Sequence, residues 1–216
     1  TVSCFLDKGY EIGSVGTVMP DLEVKIGENN EILLRGKTIT TGYYKKPEAT
    51  AAAIDKDGWF HTGDAGYLKG NHLYLTERIK DLFKTSNGKY ISPQALETKL
   101  SIDRYIDQIA VIADQRKFVS ALIVPVYGLV KNYAKEKGLE YKDMADLLQH
   151  PKVQALFRAR IDTLQQQFAH YEQVKRFTLL SEPFSMERGE LTNTLKLKRS
   201  VVAKNYKELI DKMYEE

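Results

Sequence analysis

Thr76-Glu77-Arg78-Ile79-Lys80-Asp81 is the stretch at which the chain changes character. Residues 1–77 carry 8 basic and 11 acidic side chains, whereas residues 78–216 carry 24 and 18, so the net sign turns from negative to positive at Arg78. The apolar spacing turns a little later, at residue 93. Upstream, alternation by two and frequent glycines predict short strands; downstream, spacings of three and four predict helices among further strands. The reading is a mixed α+β chain: a β-rich, barrel-like subdomain over residues 1–79, then a small α/β domain over 80–216.

Working upstream, Leu22-Glu23-Val24-Lys25-Ile26 alternates apolar and charged residues, as a half-buried strand does. Glu31-Ile32-Leu33-Leu34-Arg35-Gly36 is a second strand, joined to the first by the hairpin turn Gly27-Glu28-Asn29-Asn30. Gly9, Gly13, Gly16, Gly36 and Gly42 keep the elements short, so a small barrel or an open sheet is expected. Residues 47–54 open on Pro47 and hold four alanines, which predicts a short helix. Two hairpins follow, one around Lys69-Gly70-Asn71 and one pairing residues 79–84 with 89–92 around Asn87-Gly88.

Working downstream, Ser92-Pro93 starts a helix with Leu96 and Leu100 on one face. Residues 108–113 and 118–126 read as paired strands around Asp114-Gln115-Arg116-Lys117. Leu129, Val130, Tyr133 and Ala134 predict a helix ended by Gly138. Apolar residues from Val153 to Tyr171 predict an amphipathic helix of about five to six turns over 151–171. Residues 174–180 are strand-like, and Val202, Tyr206, Leu209 and Met213 form the stripe of a terminal helix.

Composition excludes several classes. With 43% hydrophobic and 28% charged residues, neither a disordered nor a fibrous chain fits. A net charge of +3 gives no case for nucleic acid as a partner. Cys4 is the only cysteine, which forbids an intrachain disulfide and a cysteine-based zinc site. His61, His72, His150 and His170 are scattered, so no metal ligand set is read. The longest apolar run, 121–126, is strand-sized and contains Pro125, and no leader pattern is read. The sequence opens mid-pattern at Thr1, so a piece of a longer protein is expected.

Four clusters carry candidate chemistry. In Trp59-Phe60-His61-Thr62-Gly63-Asp64, a flexible glycine presents a carboxylate beside a turn, and a carboxylate accepts the paired hydroxyls of a ribose. Spacing alone favours the plainer role of Asp64 as a turn cap. Arg78, in the opening stretch, offers a planar fork of donors for sugar hydroxyls or phosphate, or a surface ion pair with Glu77 or Asp81. Lys84-Thr85-Ser86-Asn87-Gly88-Lys89 combines lysines, hydroxyls and a glycine in a loop that could approach an anion, or is a solvated hairpin tip. Last, Gly189 and the threonines before Lys196 make a mobile loop that delivers a cation just ahead of the terminal helix.

Taken in this order and spacing, the clusters resemble the C-terminal part of the adenylate-forming superfamily, and within it the long-chain fatty acyl-CoA synthetases. The matching stretches are Arg35-Gly36 through Thr41-Gly42-Tyr43-Tyr44-Lys45 with Pro47 and Thr50, then 57–64, 78–81 with 84–93, and Gly189-Glu190-Leu191-Thr192 with Lys196. The resemblance implies that Asp64 and Arg78 hold the ribose of ATP or acyl-AMP. It makes Lys80 the hinge of a swinging C-terminal domain, and Lys84, Ser86, Gly88 and Lys89 the loop that enters for thioester formation with CoA. Lys196 becomes the catalytic lysine on the carboxylate and α-phosphate during adenylation.

The resemblance also implies the reaction ATP plus fatty acid to acyl-AMP, then CoA to acyl-CoA. The magnesium ligand, the phosphate loop and the fatty-acid tunnel would all precede Thr1, so residues 1–79 would end a large N-terminal domain and the 216 residues would be inactive alone. A cytoplasmic enzyme with peripheral contact at the inner membrane face goes with that reading. Glu77 stands where the family has Asp or Gly, and Asn193 replaces a frequent proline. An acyl-AMP ligase loading a carrier protein and a non-catalytic binding module are the alternatives.

Overall fold

The structure is a computed structural model that describes Ser3, Cys4 and residues 10–215. Gly9, read above as a strand break, lies outside the described residues. Contacts divide the chain into two compact units, Thr1–Leu82 and Phe83–Glu216.

The first unit is a six-stranded antiparallel sheet. Its strands are β1 (Ser3–Cys4), β2 (Thr17–Val18), β3 (Leu22–Ile26), β4 (Glu31–Gly36), β5 (Phe60–Lys69) and β6 (His72–Arg78), in the spatial order β1-β2-β6-β5-β4-β3. The ends of that order do not pair, so among the described residues the sheet is the open one of the two forms expected, and the barrel-like closure is not made. Strands β3 and β4 form where alternation placed them, and Asn29 and Asn30 take left-handed backbone (φ 53° and 58°) to turn the chain between them. Helix α1 (Pro47–Ala53) starts on its proline. The buried cluster is small: Leu22, Ile32, Leu34 and Leu73, flanked by half-buried Val24, Ile26 and Phe60.

Among the described residues the second unit holds two sheets and six helices. Strands β7 (Phe83–Lys84) and β8 (Tyr90–Ile91) form a two-residue hairpin. The longer strand expected over 79–84 is interrupted because Ile79–Asp81 coils into a single 3₁₀ turn. Helix α2 (Pro93–Leu100) is capped by the Ser92 hydroxyl, which accepts from Ala95 N. Strands β9 (Ile106–Ile112) and β10 (Val119–Pro125) pair antiparallel. Helices α3 (Tyr127–Glu136), α4 (Met144–Gln149) and α5 (Pro151–Leu164) then cross to β11 (Val174–Leu179), which runs parallel to β10. Helices α6 (Arg199–Asn205) and α7 (Lys207–Lys212) close the unit.

Strand β10 is the middle strand and is buried at all seven positions. Its two faces feed separate clusters. Ile109, Val111, Ala121 and Ile123 meet Leu96, Val130 and Phe157 on one side, while Ala110, Leu122 and Val124 meet Phe184, Val202 and Ile210 on the other. That is the two-residue period of a strand covered on both faces.

Two helical expectations fail for identifiable reasons. Helix α5 stops at Leu164, seven residues short of Tyr171, because Gln165 is buried and its amide oxygen accepts from Val174 N at 2.8 Å while Phe168 N turns back onto Gln165 O. The terminal stripe breaks at Tyr206, which packs edge-on against Phe184, into the two short helices α6 and α7. Helix α4 carries Leu147 and Leu148 into the core and had no sequence reading at all.

Candidate functional site

In the first unit, the chain expected to turn at Thr62-Gly63-Asp64 stays in strand β5 and bulges. Glu31 pairs with Ala65 and Leu33 with His61, so two residue steps on β4 face four on β5. Gly63 takes φ +69°, a backbone that a side chain resists, and its N–H donates to Glu31 Oε1 at 2.9 Å. The Thr62 hydroxyl donates to Ile32 O at 2.7 Å and accepts from Asp64 N at 3.0 Å. Asp64 is therefore a strand residue held at a bulge, and the turn-cap role is not what its carboxylate does.

That carboxylate meets Arg78, its cross-strand partner on β6, with Nε 3.1 Å from Oδ1. Arg78 thus pairs with Asp64 across the sheet, and the pair is open to solvent: Arg78 is 72% and Asp64 32% exposed. A half-exposed carboxylate beside a guanidinium fork suits a diol that can accept from one and donate to the other. Lys80 is exposed in the 3₁₀ turn that follows.

Within the second unit, the loop between β7 and β8 is organised around Thr85, which is buried. Thr85 N donates to Lys89 O, Gly88 N donates to Thr85 O, and the Thr85 hydroxyl accepts from Lys89 N at 3.1 Å. Two more backbone bonds tie the loop to the β9–β10 turn: Ser86 N to Arg116 O and Gln115 N to Lys84 O. Ser86, Gly88, Lys84 and Lys89 are exposed at the rim. The Lys89 ammonium lies 5.6 Å from the ring centre of Tyr171, a residue the sequence reading had assigned to helix packing.

Lys196 sits at the end of a tight hairpin rather than an open loop. Leu191 bridges Leu197, Thr192 N donates to Lys196 O, and Lys196 N donates to the Thr192 hydroxyl at 3.0 Å. Its base is fixed by Glu190, only 1% exposed, whose carboxylate accepts from Ser185 N, Arg188 and Asn205. Burial pushes the Glu190 carboxyl up, but those donors outweigh it and leave its pKa below the ordinary carboxylate value.

A contact that spacing could not show joins the two motifs of this unit. Glu97 on α2 receives both terminal nitrogens of Arg199 on α6, each at 2.6 Å, and Val111 N at 2.8 Å. Behind the β7–β8 loop lies a cavity of about 340 Å³ whose lining includes Phe83, Val111, Arg116, Arg199 and Val202. No group of acidic, histidine and cysteine side chains able to hold a metal occurs among the described residues. No helix of the described residues is long and apolar enough to cross a membrane.

Known proteins resemble this chain over most of its length. A profile of the AMP-binding enzyme C-terminal domain matches residues 80–216. Long chain acyl-CoA synthetase 6, peroxisomal, of Arabidopsis thaliana is 34% identical over 98% of this chain and 33% of its own length. Long-chain-fatty-acid–CoA ligase 5 of Rattus norvegicus is 35% identical over 88% of this chain and 28% of its own length. The chain thus spans about a third of the length of the curated relatives it matches. Among solved structures, the adenylation domain of a carboxylic acid reductase from Segniliparus rugosus, in complex with AMP and a carboxylic acid, is 26% identical. It superposes with a TM-score of 0.65 over 85% of this chain and 28% of its own. The AMP complex of O-succinylbenzoate coenzyme A synthetase from Bacillus subtilis shares the fold at 22% identity, with a TM-score of 0.56 over 88% of this chain and 35% of its own.

Proposed function

This chain belongs to the AMP-binding enzymes through their C-terminal domain, and from that premise we propose that it is the closing part of a long-chain fatty acyl-CoA synthetase. The observation that carries the reading is 34–35% identity across 98% of the chain to relatives named for that activity. Residues 1–79 then end a large N-terminal domain, and residues 80–216 form the C-terminal domain that turns about Lys80.

In the first half-reaction a fatty carboxylate oxygen attacks the α-phosphorus of ATP, and the bond to pyrophosphate breaks. Asp64 and Arg78 orient the ribose, which their half-exposed, facing positions on β5 and β6 allow. Lys196, exposed on its braced hairpin, offsets charge at the carboxylate and α-phosphate as pyrophosphate leaves. In the second half-reaction the CoA sulfur attacks the acyl carbonyl and AMP leaves, with the loop of Lys84, Ser86, Gly88 and Lys89 in place of Lys196. The magnesium ion that accompanies ATP would take its ligand from outside these residues. Peripheral contact with the inner membrane face of the cytoplasm belongs to the same proposal.

The test separates the half-reactions in the full-length protein. Lys196→Ala is expected to lower acyl-AMP formation by at least a hundredfold, as loss of one charge-stabilising group does, and to leave thioester formation from supplied acyl-AMP within about threefold. Equal losses in both would end the division of labour. The likeness to carboxylic acid reductase adenylation domains supports a second reading, transfer to a carrier protein. Offering CoA and a phosphopantetheine-bearing carrier in parallel decides between the two.

A further inference from the structure

Glu31 opens β4, thirty residues and more from the chain it contacts. Its side chain is 18% exposed and both oxygens are engaged: Oε1 accepts from Gly63 N at 2.9 Å, and Oε2 lies 2.9 Å from His61 Nδ1. On its other side, the His61 ring stands 3.8 Å from Asp55 Oδ2, and Asp55 Oδ1 in turn accepts from Trp59 N and Asp57 N. One carboxylate therefore fixes both the backbone of Gly63 and the residue two before it.

What it fixes is the backbone immediately before Asp64, since Gly63 is its neighbour in the chain. The bulge inserts two residues between the His61 and Ala65 pairings to β4, and Asp64 lies within it, directly after Gly63 and opposite Arg78 on β6. Gly63 at φ +69° is the conformation the insertion requires, and an N–H bound to a carboxylate is the stronger kind of bond that can hold it. The Thr62 hydroxyl satisfies the flanking groups, donating to Ile32 O and accepting from Asp64 N.

We propose that Glu31 is a positioning residue for nucleotide binding: by clamping the Gly63 bulge it sets the carboxylate of Asp64 toward the ribose hydroxyls. The inference rests on the reading of Asp64 as a ribose ligand, and its test keeps the two apart. In the full-length protein, KM is measured for ATP, for 2′-deoxy-ATP and for the fatty acid, with thermal unfolding alongside.

Asp64→Ala is expected to abolish the preference for ATP over 2′-deoxy-ATP. Glu31→Ala is expected to raise KM for ATP by about tenfold and to flatten the same preference, with KM for the fatty acid within about twofold. Glu31→Gln retains an acceptor for Gly63 N and a partner for His61, so it restores the preference. If Glu31→Ala does not fold, Glu31→Asp, which keeps the charge but withdraws it by one methylene, is expected to show the same flattening. A flattened preference in Asp64→Ala with the wild-type preference intact in the Glu31 variants overturns the clamp alone. An intact preference in Asp64→Ala overturns the ribose reading and the clamp with it.

Discussion

The two units hold their reactive groups in opposite ways. In the first, the Asp64–Arg78 pair stands on a sheet whose buried cluster is only four residues, and both side chains keep substantial contact with solvent. In the second, the exposed residues Lys89 and Lys196 ride on supports that are themselves buried: Thr85 under one loop, and Glu190 under the hairpin of the other. On the proposed function, the pair that holds the ribose can stay hydrated because its ligand arrives from outside. A cation that the proposed domain rotation presents and withdraws would benefit from a stiff mount, since any slack in the mount is subtracted from the stroke.

The largest expected break of this comparison lies in the cores. Leu122→Ala removes a side chain with no solvent exposure from the central strand and is expected to cost the second unit about 4 kcal/mol; Leu34→Ala, in the smaller cluster of the first, about 2 kcal/mol. Chemical denaturation resolving two transitions measures both, and equal shifts would erase the distinction between the units. Next comes the brace. Glu97→Ala strands the Arg199 guanidinium and the Val111 N–H, for an expected loss of about 2–3 kcal/mol, discounted from a fully buried pair because Arg199 remains 30% exposed. By contrast, Arg78→Ala, which breaks an exposed pair, is expected to cost under about 1 kcal/mol in the same assay.

The smallest effect is a pH dependence. Glu190 binds its proton less readily folded than unfolded, so its contribution is complete above the unfolded carboxylate pKa of about 4.3 and is lost as pH falls through the lower folded value. Melting temperature of the second unit should therefore drop on acidification below about pH 4.3, and Glu190→Gln should flatten that limb. An unchanged acid limb in the variant would place the acid sensitivity elsewhere.

Much of the fold follows from local pattern. Alternation found β3 and β4, Ser92-Pro93 found α2, and the apolar runs flanking 114–117 found β9 and β10. The failures share one cause, a partner far away in sequence. Whether Thr62-Gly63-Asp64 turns or bulges is decided by Glu31 and Ile32, and where α5 ends is decided by Val174. The candidate residues were legible as types in an order; their supports were not. Nothing in the spacing of Glu97 signals that it will meet Arg199, 102 positions on, or that Lys89 will find the ring of Tyr171.

That late contact has a consequence for the order in which the unit is built. Arg199, Asp211 and Tyr214 lie within the last eighteen positions, and they reach back to Glu97, Arg116 and Ser120. During synthesis the strands β7 to β10 and the helices over them emerge first, without these counter-charges, and wait for the tail. The β7–β8 loop is tied to Arg116 O, and Arg116 is anchored by Asp211, so the loop acquires its final support only once Asp211 has been made. A chain interrupted before Arg199 would display the loop on an unbraced scaffold, which makes residues 199–214 a seal on this unit.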